Sequence, residues 1–274
     1  MDRRACLALS CAVLLFACGD DPVGPGAPGL FEPTAPCVNG QADGYACQGV
    51  DLLARLPIDG LELGPTANFS AANDIWGWTD PQTDRRYALV GRQDGVSIVD
   101  VTDPTDPLPV ARLPSAAGVS VWRDIKVYRD HAYVVADGAP GHGVQVLDLR
   151  RLRGLAGFTV LTEDARYEGV SSVHNIAINP ETGFAYAVGS NAGGTTCGGG
   201  LHMMDVRTPA SPTFAGCFAE IGTGRAKTGY THDVQCVVYD GPDAEHRGRE
   251  ICLAANETAI VIADVTDKLS LIHI

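Results

Sequence analysis

Four apolar runs that each end in aspartate recur along the chain, and this repeat restricts the fold more than any other feature. The runs are VSIVD (96–100), VQVLD (144–148), LHMMD (201–205) and IVIAD (260–264). Their spacing of about 50 to 60 residues is typical of a protein that uses one supersecondary unit several times. Because a single small unit cannot bury its own apolar faces, we expect neighbouring units to pack against one another.

Each unit should contain four antiparallel strands. A strand-like segment precedes each run, at 87–90, 132–135, 185–188 and 251–254. Further upstream, a first short strand opens with a polar pair: Asn73-Asp74, Arg123-Asp124, His174-Asn175 and His232-Asp233. Asp94-Gly95 predicts a two-residue hairpin turn, and proline-rich turns after the runs lead to a fourth strand. The pattern predicts an all-β, propeller-like array with about four blades visible over residues 37–268, and a β-sandwich is the alternative.

The same segments carry a family resemblance. The four runs are similar to LVIVD repeats, and CVNGQADGYACQGVDLL (37–53), HNIAIN (174–179) and THDVQCVVYDGPD (231–243) resemble the choice-of-anchor B family of bacterial surface proteins. The resemblance extends from residue 37 to about residue 268. It implies a propeller-like domain held at the cell surface, and it implies no particular chemistry.

The N-terminus is similar to an export signal. Residues 1–17 combine two arginines with an apolar run that is too short to span a bilayer, which is typical of a signal peptide. The run ends in a lipobox-like LFAC segment, so we expect Cys18 to be the lipid attachment site; an ordinary secretory signal is the alternative. The proline-rich and glycine-rich residues 18–36 should form a semi-rigid tether. We therefore expect an exported lipoprotein at the bacterial cell surface or facing the periplasm.

Six cysteines remain after the signal peptide and Cys18. An even number in an exported chain predicts disulfides, and six cysteines allow fifteen pairings. Proximity in the sequence favours three of them: Cys37 with Cys47, Cys197 with Cys217, and Cys236 with Cys252. A zinc site is the alternative, but no CxxC spacing supports it.

The composition and the absence of common catalytic motifs argue against several classes of function. The formal net charge is −13, which argues against nucleic-acid partners because an acidic surface repels the phosphate backbone. The sequence contains no GxSxG, HExxH, P-loop or EF-hand pattern. These observations favour a binding protein over an enzyme.

The polar pairs supply the candidate site, because the first strands of propeller blades line a central channel. Their second position is always Asp or Asn, which favours a structural role such as hydrogen bonding to the next blade. Their first position varies, which favours ligand contact, so we expect an anion or metal to contact the histidines there; structural histidines are the alternative. The candidate channel-binding residues are His174, His232, Asp233, Arg123, Asp124 and Asn73.

Two hypotheses of function follow. The first is a binding or adhesion module on a lipid anchor, with a protein or glycan as its ligand. The second is a metal-assisted hydrolase that works through His174, His232 and Asp233 in the channel. The candidate cofactors are zinc at the histidines and calcium at the turn residues Asp100, Asp103 and Asp106, where turn capping is the alternative.

The last six residues, 269–274, match the translation of a transposase adaptor end used in shotgun sequencing. We expect them to be non-native. Because the family resembled here continues with further repeats, we also expect the sequence to be a C-terminally truncated fragment.

Lipid attachment at Cys18 can be tested directly. We expect the mature chain to begin at Cys18 and to carry a diacylglyceryl group plus one further acyl chain, because a single chain anchors a protein only marginally. Mass spectrometry of the N-terminal peptide from membrane-derived protein measures this. Cleavage at another position, with Cys18 unmodified, would contradict the prediction.

Overall fold

The computed structural model describes residues 34–61, 71–269 and 272–273. The predicted signal peptide, Cys18 and most of the predicted tether lie outside these residues. The strands, in chain order, are β1 Gln41–Ala42, β2 Tyr45–Ala46, β3 Ala72–Thr79, β4 Arg86–Arg92, β5 Gly95–Asp100, β6 Leu108–Pro114, β7 Arg123–Tyr128, β8 His131–Ala136, β9 Val144–Asp148, β10 Thr159–Val160, β11 Ala165–Tyr167, β12 Val170–Ser172, β13 Asn175–Asn179, β14 Phe184–Val188, β15 Ala192–Gly194, β16 Leu201–Asp205, β17 Thr213–Phe218, β18 Asp233–Val238, β19 Glu250–Ala255, β20 Ile260–Asp264 and β21 Ile272–His273.

Helix is limited, in these ranges, to three 3-10 turns at Ile58–Leu61, Leu149–Leu152 and Cys197–Gly199. None of the helices in this part of the chain has the length and apolar character needed to cross a membrane.

Four sheets account for most of the structure. Their strand orders are β10-β6-β5-β4-β3, β11-β9-β8-β7, β13-β14-β16-β17 and β18-β19-β20-β21, and we number these sheets one to four. All neighbours are antiparallel except β10, which adds to β6 in parallel and was not predicted. The all-β prediction is confirmed, although the described residues form no closed barrel or closed propeller.

The hairpin turn of sheet one lies one residue earlier than predicted. Arg92 pairs with Gly95, so Gln93 and Asp94 form the turn. Gly95 has a φ of +148°, and a Cβ at this position would lie 2.1 Å from the carbonyl oxygen of Leu113. Glycine is therefore required because the opposite strand comes too close for a side chain.

The aspartate that ends each repeat run caps the turn after it. In all four repeats a carboxylate oxygen accepts a hydrogen bond from the backbone N–H two residues further on, at 2.9–3.0 Å. The pairs are Asp100 with Thr102, Asp148 with Arg150, Asp205 with Arg207, and Asp264 with Thr266. This local turn explains why the aspartate recurs.

Three apolar cores form where successive sheets stack face to face. Sheets one and two bury Leu89, Ile98, Ile125 and Val134 between them. The other face of sheet two meets sheet three at Tyr133, Val146, Ile176 and Met204. Sheets three and four meet at Tyr186, Met203, Val234 and Val261. Each fully buried side chain of this size contributes roughly 1.5–3 kcal/mol, so the sheets depend on their neighbours as the repeat predicted.

The strands β3, β7, β13 and β18 each form an edge of their sheet and lie beside one another; we call them the first strands. Hydrogen bonds from the polar pairs connect them. Asp74 Oδ2 accepts from the N–H of Ile125 at 2.9 Å, and Asp124 Oδ2 accepts from the N–H of Ile176 at 2.7 Å. Asn175 Nδ2 donates to the carbonyl of His232 at 3.0 Å. We call these contacts the edge hydrogen bonds, and they supply the structural role expected for the second position.

All three predicted disulfides are present: Cys37–Cys47, Cys197–Cys217 and Cys236–Cys252. The last joins directly paired residues of β18 and β19, and the second secures the glycine-rich loop before β16. Three disulfides indicate an oxidising environment, extracellular or periplasmic.

The edge hydrogen bonds can be tested with residues at equivalent places in two repeats. Asp74→Ala should lower the free energy of unfolding by about 1 kcal/mol relative to Asp74→Asn, because alanine leaves the buried N–H of Ile125 with a single partner. Among the described residues, Asp233 accepts from the N–H of Val234, next to it in the chain, and bonds to no neighbouring unit. Asp233→Ala should therefore differ from Asp233→Asn by less than about 0.5 kcal/mol. Urea denaturation measures both differences, and equal losses at the two positions would contradict the account.

Candidate functional site

A cavity of about 730 Å³ opens between the first strands. All four of these strands contribute to its wall. The polar and aromatic lining residues are Asp74, Trp76, Asp124, Lys126, Asn175, Asp233 and Gln235. The repeat therefore brings equivalent side chains from four sheets to one place.

Asp124 and Lys126 form the charged centre of the wall. The Lys126 ammonium contacts the Asp124 carboxylate and lies 4.6 Å from the ring centroid of Trp76. Burial raises the pKa of Asp124 to about 6, while the neighbouring Lys126 acts in the opposite direction. Trp76 remains 40% exposed, so the cavity offers a ligand both an aromatic surface and hydrogen-bonding groups.

The two tryptophans of β3 have different environments. Trp78 is buried, stacks on Tyr87 with a centroid distance of 5.4 Å, and donates from Nε1 to Asp130 at 3.1 Å. It belongs to the core between sheets one and two, while Trp76 lines the cavity. Residues two apart share a face of the strand, so the difference comes from what lies opposite each ring: Lys126 at the cavity for Trp76, and Asp130 and Tyr87 for Trp78.

His174 and His232 meet at the start of β13 and β18. Their Nε2 atoms are 2.9 Å apart, and their rings approach edge to face with centroids 4.3 Å apart. His232 is exposed, whereas the side chain of His174 is only 16% exposed. The repeat frame thus places the two histidines together at the surface.

Asp137 fixes the orientation of His174. Its Oδ2 accepts from His174 Nδ1 at 2.9 Å, and its Oδ1 accepts from the N–H of Gly138 at 2.7 Å and from Asn191 Nδ2 at 2.9 Å. These bonds hold the pKa of Asp137 at about 2, with His174 as the largest cause. The carboxylate is therefore ionised and accepts the hydrogen bond, so the proton of His174 lies on Nδ1. Nε2 of His174 then has a lone pair that faces His232.

Sequence reasoning did not find Asp137. It follows β8 directly and belongs to the second sheet, 37 residues before His174. An aspartate before a glycine after a strand is a common turn signal, so nothing local indicates that it reaches another sheet.

Arg123 does not line the cavity, in contrast to its prediction as a ligand contact. Its side chain is buried between sheets one and two, where the guanidinium donates to Ser115 Oγ at 2.8 Å and to the carbonyl of Gln93 at 3.1 Å. It also contacts His142 Nε2 at 3.0 Å. Burial lowers the pKa of His142 to about 4, so this histidine is neutral and accepts from Arg123. All of these partners are structural.

The other candidates divide between two places. Asn73 bonds the backbone of Arg123 through both side-chain atoms, at 2.7 and 3.1 Å, and so connects β3 to β7. Asp124 and Asp233 line the cavity, with Asp233 exposed. Because Asp233 follows His232 in an extended strand, the two side chains point to opposite faces. The predicted combination of both histidines with Asp233 is therefore not one cluster.

The candidate cation sites also differ from expectation. Asp100 and Asp103 cap turns, accepting from the N–H groups of Thr102 and Thr105 at 2.9 Å, as the alternative to calcium binding predicted. One three-residue group within the described ranges has metal-ligand spacing: Cys197, His202 and Cys217. Its two cysteines are bonded to each other, so no thiolate is free to bind a metal.

Comparison with known proteins assigns no function. No family model matches the chain, and no curated protein matches it. The resemblance to choice-of-anchor B proteins therefore stays a prediction, and function must be argued from the cavity and the histidine pair.

The raised pKa of Asp124 predicts an unusual pH dependence. Between about pH 4 and 6 the Asp124 carboxyl keeps its proton in the folded chain. In the unfolded chain, where this carboxyl has its ordinary pKa of 3.8, it loses the proton. The free energy of unfolding should therefore fall as the pH rises through this window. Asp124→Asn should flatten that slope, and a carboxyl titration of Asp124 near pH 4 by NMR would contradict the assignment.

Proposed function

We propose that this chain is a cell-surface binding module whose four sheets are blades of a propeller-like array and whose ligand enters the cavity between the first strands. The observation that carries the proposal is the cavity itself. Its volume of about 730 Å³ falls within the range of small-ligand sites, roughly 300–1,000 Å³. Equivalent strands of all four sheets supply its wall, as a shared channel requires.

The chemistry of the wall favours a glycan. Asp74 and Asp233 offer carboxylate oxygens to sugar hydroxyls, and Asn175 and Gln235 offer amides. Trp76 supplies an aromatic surface for the apolar face of a sugar ring. A protein segment is the second class of ligand that such a wall could accept.

Display at the cell surface supports the same role. The three disulfides fit a protein that works outside the cytoplasm, and the lipobox-like segment at Cys18 with its proline-rich tether would hold the domain away from a membrane. A lipoprotein of this kind meets ligands at the bacterial surface or in the periplasm. In this proposal the protein contacts the membrane through its lipid anchor, and the domain itself does not bind lipid.

Metal-assisted hydrolysis is the second candidate function, and the histidine pair favours it. The pair lacks a free carboxylate beside it, because Asp137 is bonded to His174 and Asp233 lies on the opposite face of β18. A hydrolytic site needs a metal-bound water together with groups that position a substrate. The cavity therefore supports binding better than hydrolysis.

A glycan titration followed by tryptophan fluorescence tests the proposal. The chain has three tryptophans, and only Trp76 lines the cavity. A panel of soluble oligosaccharides should include one that quenches or shifts the emission in a saturable way. Isothermal titration calorimetry, which needs no tryptophan reporter, then measures the affinity of the variants. Trp76→Ala should abolish the binding, and Asp233→Asn should weaken it, because each removes a contact with the ligand.

Trp122→Ala is the matched control, since Trp122 is 55% exposed and lies outside the cavity. It should leave the affinity unchanged. Affinity retained by Trp76→Ala and lost by Trp122→Ala would place the ligand elsewhere. Saturable binding of peptides, and not of sugars, that depends on Trp76 would keep the cavity and replace the ligand class.

A further inference from the structure

We propose that His174 and His232 bind one divalent transition-metal ion through their Nε2 atoms, with Asp137 positioning His174. This goes beyond the proposed function, because the site lies at the start of β13 and β18 and uses none of the cavity side chains. A ligand in the cavity is not needed for it.

The position of the proton on the His174 ring favours metal binding by this pair. Asp137 is a hydrogen-bond acceptor for His174 Nδ1, so the lone pair of His174 is on Nε2 and points toward His232. The bonding of a carboxylate to the second nitrogen of a histidine is the arrangement that orients metal-binding imidazoles and makes them better ligands. When neither Nε2 carries a proton, the Nε2 lone pairs of His174 and His232 point to one place, where an ion can bind both nitrogens.

The spacing of the nitrogens indicates which coordination geometry fits. Two nitrogens about 2.1 Å from a metal are about 3.0 Å apart in adjacent positions of an octahedron or a square plane, and about 3.4 Å apart in a tetrahedron. The observed distance is 2.9 Å. This distance lets both nitrogens bind one ion. Among the divalent ions of the first transition row, imidazole sites bind Cu²⁺ most tightly and also suit Ni²⁺, with water or an external ligand in the remaining positions.

The surroundings hold the pair in place. Gly189 has a φ of +66°, and a Cβ there would lie 2.5 Å from His174 Cβ, so glycine is required beside the ring. The backbone of His232 is fixed by bonds to Ala255 and to Asn175. Because His232 is exposed, an ion from solvent can reach both nitrogens.

The metal would also connect two sheets. His174 comes just before β13 in sheet three, and His232 comes just before β18 in sheet four. An ion bound to both stabilises the folded chain by mass action, because the unfolded chain does not hold the histidines together. Metal should therefore raise the melting temperature, a readout that needs no activity.

The test uses untagged full-length protein with its disulfides intact, titrated by calorimetry with Ni²⁺ and Cu²⁺, and with Mg²⁺ as the negative probe. We expect one Ni²⁺ or Cu²⁺ per chain, an electron paramagnetic resonance spectrum of Cu²⁺ with two equatorial nitrogens, and a higher melting temperature with metal. Asp137→Asn should weaken the affinity by about 10–100-fold. His174→Gln and His232→Gln should each weaken it by more.

His246→Gln is the matched control. His246 Nδ1 also contacts a carboxylate, Asp243 Oδ2 at 3.0 Å, but no second histidine lies beside it among the described residues. This variant should keep the metal affinity of the parent. Melting curves of every variant without metal show whether it is folded, and an unfolded glutamine variant is replaced by His→Asn at the same position.

Two results would overturn the inference. One is the absence of stoichiometric binding of either ion to folded parent protein, which would make the contact an N–H···N hydrogen bond between two histidines. The other is binding that survives both His174→Gln and His232→Gln, which would place the metal at another site.

Discussion

The edge hydrogen bonds between the first strands determine how the four sheets are arranged. A first strand has no partner on one side, so its outward N–H groups must be satisfied by something other than a neighbouring strand of its own sheet. The carboxylates of Asp74 and Asp124 accept from Ile125 and Ile176 in the next unit, and Asn175 bonds to the strand after that. The side chains of one repeat thus cap the exposed edge of the next.

Both candidate sites follow from that arrangement. The first strands are held side by side without forming a common sheet, which leaves the cavity between them. His174 comes one residue before Asn175, and the Asn175 amide donates to the His232 carbonyl, so this edge hydrogen bond brings the two histidines together. In three of the four pairs the second position makes an edge hydrogen bond. At the first position, Asn73 and Arg123 also make structural contacts, whereas the two histidines meet at the surface. A repeat protein can in this way acquire a new site by changing one residue in two neighbouring units.

The regular parts of this structure could be predicted from the sequence, and the contacts between distant segments could not. The apolar runs and the strand-like segments before them predicted the hairpins, and proximity in the sequence predicted the three disulfides. Turn capping was expected at Asp100, as the alternative to calcium binding, but not at the other three run aspartates. The parallel addition of β10 was missed because a two-residue strand carries no periodic signal. Arg123 was predicted to reach a ligand, yet its long side chain turns into the core between two sheets, and Asp137 reaches His174 from another sheet. The spacing of residues along the chain does not show where the side chains of Arg123 and Asp137 point.

The central claim is that carboxylates of one unit protect the edge amides of the next. Native-state hydrogen exchange followed by NMR measures this for individual N–H groups. The amides of Ile125 and Ile176, bonded across to Asp74 and Asp124, should exchange at least about tenfold more slowly than that of Val234, which bonds to the adjacent Asp233 and to no other first strand among the described residues. Equal exchange of the three amides, at the rate of Val234, would show that the sheets are held by their apolar faces without the edge hydrogen bonds, and would contradict the account.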